Sequence, residues 1–168
     1  MITKPEEILQ EKIANYLVRN YPDVLFHSDF GSGTKLTPGQ AKKQKRQNGG
    51  RRAWPDLTIA QPYTINPSNP VPPSRAVNGR EYWGNQHGLY IELKKEGENI
   101  FAQRNLNDPN KLSLDGKVYA DKHIREQADV LYRLRQVGYC AEFAVGFDEA
   151  TGIIADYLGK PHKQEIEF

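Results

Sequence analysis

The chain of 168 residues has a single cysteine, Cys140, so no internal disulfide forms. A disulfide-built secreted scaffold and a CxxC-type zinc site are both excluded. There is no run of about 18 apolar residues, so no transmembrane helix and no membrane partner are expected. The opening Met1-Ile2-Thr3-Lys4-Pro5-Glu6-Glu7 lacks the apolar stretch of a signal peptide, and the expected location is cytoplasmic. Net charge is only +2, too little by itself to argue for a polyanionic partner. No GxxxxGK[ST] phosphate loop occurs, although Gly31-Ser32-Gly33-Thr34-Lys35 has its look. His27, His87, His123 and His162 lack zinc-ligand spacing. Cys140 lies in an apolar stretch and reads as a core residue, not a nucleophile.

What is present suits one folded domain over residues 1–168. Apolar residues make up 38% and charged residues 26%, an ordinary composition for a chain that buries a core. The charge is unevenly placed. Lys35, Lys42, Lys43, Lys45, Arg46, Arg51 and Arg52 follow one another with no acid between, a candidate polyanion footprint that also reads as a solvated charge run.

The expected element order is α-β-(α)-β-β-α-β-α. Pro5 to Asn20 reads as a helix, with Pro5 in the first turn, acids at its start and Leu9, Ile13, Tyr16 and Leu17 on one side. Val24 to Phe30 reads as a short strand. Thr37-Pro38 with Gln40 is a capping box that opens a basic helix to Asn48. Asp56 to Ala60 and Gly88 to Lys95 are strands, the second strongly alternating over Leu89 to Lys94. His123 to Val137 is a helix stopped by Gly138, Tyr139 to Val145 a strand, and Asp148 a cap for a last helix to about Leu158. Two surface insertions are expected: residues 61–87, which hold five prolines, and residues 96–122, with a tight reversal at Asp115-Gly116.

The chemistry concentrates on the Leu89–Lys94 strand. Alternation sets Leu89, Ile91 and Leu93 on one face and Tyr90, Glu92 and Lys94 on the other. If the preceding strand pairs with it, Asp56 joins Glu92 and Lys94. Two carboxylates and a lysine suit a hard divalent cation and a water, because Mg²⁺ takes oxygen ligands and often only one or two carboxylates. Taken alone, Glu-x-Lys is also a common solvated ion pair. Two helices add weight. Gln127 interrupts the apolar stripe Ile124, Ala128, Leu131, Leu134, and a polar amide there needs partners. Glu6 and Gln10 lie towards the apolar side of the first helix, with Glu7 and Glu11 pointing away.

These residues resemble the VRR-NUC domain family, a branch of the PD-(D/E)xK nucleases. The matching segments are Glu6-Glu7-Ile8-Leu9-Gln10, Trp54-Pro55-Asp56-Leu57, Gly88-Leu89-Tyr90-Ile91-Glu92-Leu93-Lys94, Glu126-Gln127, Leu134 to Ala141, and Phe147-Asp148-Glu149-Ala150 followed by Ile153-Ile154. The resemblance implies a restriction-endonuclease-like α/β core, with a mixed central sheet flanked by helices. It implies a Mg²⁺- or Mn²⁺-dependent phosphodiesterase acting on DNA, of branched or junction structure. Asp56, Glu92 and the backbone carbonyl of Leu93 would be metal ligands, with Glu6, or its neighbour Glu7, as the extra acid of the first helix. Lys94 would sit by the water and Gln127 would support the site. Some small relatives act as homodimers. The two insertions depart from the compact family pattern. An inactive DNA-binding module and an RNA-processing nuclease are the alternative readings.

Overall fold

In the computed structural model, residues 5–29, 37–49, 54–63, 85–102 and 112–159 are described. Helix α1 (Pro5–Asn20) begins at its proline with Glu6 and Glu7 in the first turn, where carboxylates suit the positive helix end. It buries Leu9, Gln10, Ile13 and Leu17. Strand β1 (Phe26–Ser28) follows and is shorter than the alternation from Val24 to Phe30 predicts. Leu25 stands outside it, 76% exposed, although its carbonyl accepts the Ala60 N–H at 2.9 Å.

Helix α2 (Pro38–Gln47) forms on the expected capping box: Thr37 Oγ1 accepts from the Gln40 N–H, and the Gln40 side chain accepts from the Thr37 N–H. It buries no residue. Strands β2 (Leu57–Ile59) and β3 (Leu89–Lys94) come next, then α3 (Lys122–Gln136), β4 (Cys140–Val145) and α4 (Gly146–Leu158). Between β3 and α3, the Asp115-Gly116 reversal is present: the Gly116 N–H bonds to the Ser113 carbonyl, with Gly116 at φ 76°. Asp121 caps α3 through the Ile124 N–H at 2.9 Å.

Asp148 does not cap α4. The helix starts two residues earlier, and Asp148 lies in its first turn. Gly146 at φ 81° turns the chain directly from β4 into the helix, and Glu149 Oε2 accepts the Val145 N–H at 2.8 Å.

The sheet order is β1-β2-β3-β4, antiparallel between the first three and parallel between β3 and β4, with α3 as the crossover. Two cores sandwich it. Leu9, Ile13 and Leu17 of α1 and Ile153, Ile154 and Tyr157 of α4 pack on Leu57, Ile59, Leu89, Ile91 and Leu93. On the other face Ile124, Ala128, Leu131 and Leu134 of α3 pack on Ala141 and Phe143, joined by Ile100 and Tyr119. Full burial of such side chains contributes about 1.5–3 kcal/mol each. Cys140 is buried in the first core and its thiol is pushed up to about 12 by burial, so it is no nucleophile near neutral pH. No helix among the described residues is long and apolar enough to cross a membrane.

Candidate active site

Strand pairing brings the predicted carboxylates together. Leu57 pairs with Ile91 and Ile59 with Leu89, so the same register carried one step further sets Asp56 opposite Glu92. Directly opposed residues of an antiparallel pair share a face. Both carboxylates are buried, Asp56 8% and Glu92 3% exposed, as is Lys94 at 5%.

Each is held by named partners. Asp56 Oδ2 accepts the Leu93 N–H at 2.9 Å, and Oδ1 accepts from Gln10 Nε2 at 3.0 Å. Glu92 Oε1 accepts from Lys94 Nζ at 3.1 Å and from Gln127 Nε2. Gln127 therefore interrupts the α3 stripe because it spans from the helix to the sheet. Its other atom, Oε1, is buried with no hydrogen-bond partner.

The electrostatics follow from burial. Desolvation pushes the Glu92 carboxyl up to about 8, and the neighbouring Asp56 charge adds to the rise. Lys94 opposes both without cancelling them. Desolvation also raises Asp56, against the Leu93 N–H and Lys94, with Glu6 adding a small repulsion. A hydrogen bond from the Glu92 carboxyl to Asp56 lets one proton offset the like charges.

Two buried oxygen-rich carboxylates that retain a proton, beside an unsatisfied amide oxygen, fit a hard divalent cation. Each Asp56 oxygen still has a lone pair to offer. The described residues contain no group of three or more His, Cys, Asp or Glu side chains arranged for a metal, so protein carboxylates would supply only part of the shell.

The remaining sequence candidates are placed less uniformly. Glu6 is exposed, not turned into the core, and Glu7 is half-buried. Both sit in the first turn of α1, where the helix face does not by itself set burial. Glu6 nevertheless lies close enough for its charge to raise Asp56. Leu93 is 2% exposed, and its N–H rather than a side chain joins the site. Lys42, Lys43, Lys45 and Arg46 are exposed on α2. Lys35, Arg51 and Arg52 lie outside the described residues.

Gln10 is the site residue that the sequence assignments miss. Its signal is an amide on the buried side of α1, the same signal that picks out Gln127. A third buried carboxylate, Glu142, pairs in register with Ile91 and so lies on the opposite sheet face from Glu92. A separate open cleft of about 540 Å³ lies between α1 and the start of α4, lined by Lys12, Asn15, Tyr16, Arg19, Asn20 and Phe147. It does not include the carboxylates.

No protein-family model and no curated protein matches the chain. A solved structure does: a VRR_NUC domain protein, 21% identical, aligned over 94% of this chain and 91% of its own, with a TM-score of 0.52. At that identity the likeness is one of fold. The family that the sequence motifs resemble is thus the one whose fold this chain has, that of a VRR_NUC domain protein.

Proposed function

We propose that the chain is a divalent-cation-dependent nuclease that hydrolyses phosphodiester bonds in DNA, acting through Asp56, Glu92, Lys94 and Gln127 within one domain. The observation that carries this reading is the buried constellation itself. An isolated buried carboxylate is costly, and a pair of them beside a buried lysine persists only where the charges have a use or a partner. Asp56 and Glu92 would hold the cation, with the Leu93 carbonyl as a further oxygen. Held there, Mg²⁺ or Mn²⁺ would make a water easier to deprotonate and would offset charge on the phosphate.

The chain's own groups do the rest. The Leu93 N–H and Gln10 fix the rotamer of Asp56. Gln127 and Lys94 fix Glu92 through its Oε1. Lys94 would orient the attacking water through its ammonium N–H donors. Its ammonium also counters the charge that develops on the phosphate. Glu6, at the rim, is the candidate outer acid. The exposed cations of α2, with Lys35, Arg51 and Arg52, would grip the backbone. Branched or junction DNA is the substrate class that the family resemblance favours.

A nicking assay on supercoiled plasmid tests the reading. Cleavage is expected with Mg²⁺ or Mn²⁺, none with EDTA, and none from Asp56→Asn, whose amide is a poor replacement for a charged oxygen ligand. Parallel cleavage of labelled duplex, four-way junction and RNA identifies the substrate. Cleavage by Asp56→Asn at the wild-type rate would remove the site from the reaction.

A further inference from the structure

Beside the carboxylates runs a file of aromatic rings that the hydrolytic chemistry does not use. Trp54 meets Tyr90 at 5.8 Å with an interplanar angle of 88°. Tyr90 meets Tyr139 at 5.2 Å and 81°, and Tyr139 meets His87 at 5.5 Å and 66°. Tyr90 and Tyr139 rest against the α3-side core, whereas Trp54 belongs to neither core and is 41% exposed. A large indole left this open at the end of a sheet gives up burial that most tryptophans obtain.

Its position ties it to the site. Trp54 is two residues before Asp56. Tyr90 is two residues before Glu92 on the same strand face, about 7 Å away along the strand. An edge-to-face contact with one ring engages at most one face of the indole, and the 41% exposure leaves apolar ring surface open two residues before Asp56. Resting on the nuclease reading above, we propose that Trp54, backed by Tyr90, is a stacking platform for an unpaired nucleobase flanking the cleaved phosphodiester. Bases inside a duplex already stack on each other and do not offer a free face. Unpaired bases at ends, loops and branch points do, and base–aromatic stacking is tolerant of sequence. The platform would therefore select nucleic-acid structure, not sequence.

The chain has two tryptophans, so Trp83→Phe leaves Trp54 as the sole indole reporter. In EDTA, oligothymidylate is expected to change Trp54 emission saturably. An oligomer of abasic sites of the same length, with phosphates and no bases, is expected to leave it unchanged. No change with oligothymidylate, or an equal change with the abasic oligomer, overturns the proposal. By titration, Trp54→Ala is expected to weaken oligothymidylate binding about 5- to 150-fold, the range of one lost base stack. Trp54→Phe should recover most of it, and fully paired duplex should bind Trp54→Ala as it binds the wild type. Equal losses for single strand and duplex overturn the platform. Absence of binding by the wild-type chain to either ligand overturns the platform and the nuclease reading together, whereas binding that ignores Trp54 overturns the platform alone.

Discussion

Burial and the Asp56 charge hold the Glu92 carboxyl at about 8, so near neutral pH it keeps its proton in the cation-free chain. Between the ordinary value of 4.5 and about 8, the folded chain binds a proton that the unfolded chain has released. Stability from this group is therefore full below the lower value and falls as pH rises through the window. Asp56, also raised, acts in the same direction. The melting temperature of the cation-free protein is expected to drop across this range, and Glu92→Gln to flatten the drop, as read by calorimetry at several pH values. Mn²⁺ competes with the same proton, so its stabilising effect should grow over that window. Lys94→Ala is expected to keep the Mn²⁺-dependent gain in melting temperature while turnover falls about 10²- to 10⁴-fold, the usual contribution of a positioned acid–base group. Gln10→Leu leaves the buried Asp56 Oδ1 without its donor and should cost about 1–3 kcal/mol by denaturant unfolding.

Among the elements, α2 stands apart because it buries nothing. Its helicity rests on local chemistry: the Thr37–Gln40 capping box, Pro38 in the first turn, and Lys45 and Arg46 in the last turn. Thr37→Ala should lower the far-UV circular dichroism of this helix without moving the main melting transition. Helices α1 and α3 depend instead on their apolar stripes. Ile13→Ala or Leu131→Ala, at 0% and 1% exposure, should cost about 2–5 kcal/mol and move that transition. The same contrast explains what the pattern could and could not predict. Long periodic elements such as α1, β3 and α3 fall at or within a residue of their expected bounds. Strand β1 is cut short and α4 starts early, because sheet pairing and the Gly146 turn fix those ends, and neither leaves a periodic trace.

The full chain is nearly neutral, yet its cations are concentrated where a polyanion would meet few acids. If α2 and its flanks grip DNA, each phosphate contacted releases counterions, and the log–log slope of binding against salt steepens by roughly 0.9. Replacing Lys42, Lys43, Lys45 and Arg46 with Ala is expected to flatten that slope without affecting the melting temperature, since all four side chains are exposed. An unchanged slope would take α2 out of the interface. The platform at Trp54 contributes differently, through apolar stacking that salt hardly screens, so its variants should change affinity while leaving the slope alone.

Alternation alone put Glu92 and Lys94 on one face of β3 and its aliphatic residues on the other, because a strand has period two. The 3.6-residue helical period likewise identified Gln127 as a polar interruption of the α3 stripe, and the turn chemistry of Thr37-Pro38 and Asp115-Gly116 was readable locally. Other features arise only when distant elements pack. Gln10 reaches Asp56 across 46 positions because α1 packs against the sheet, and no spacing rule encodes that packing. The exposure of Glu6 depends on where α1 ends relative to the sheet. Lys94, which resembles a solvated charge in the sequence, is buried because β3 is an inner strand with α3 bringing Gln127 onto Glu92. The raised Glu92 carboxyl has the same origin: composition supplies the acid, but the desolvation that makes it hold a proton exists only after both faces of the sheet are covered.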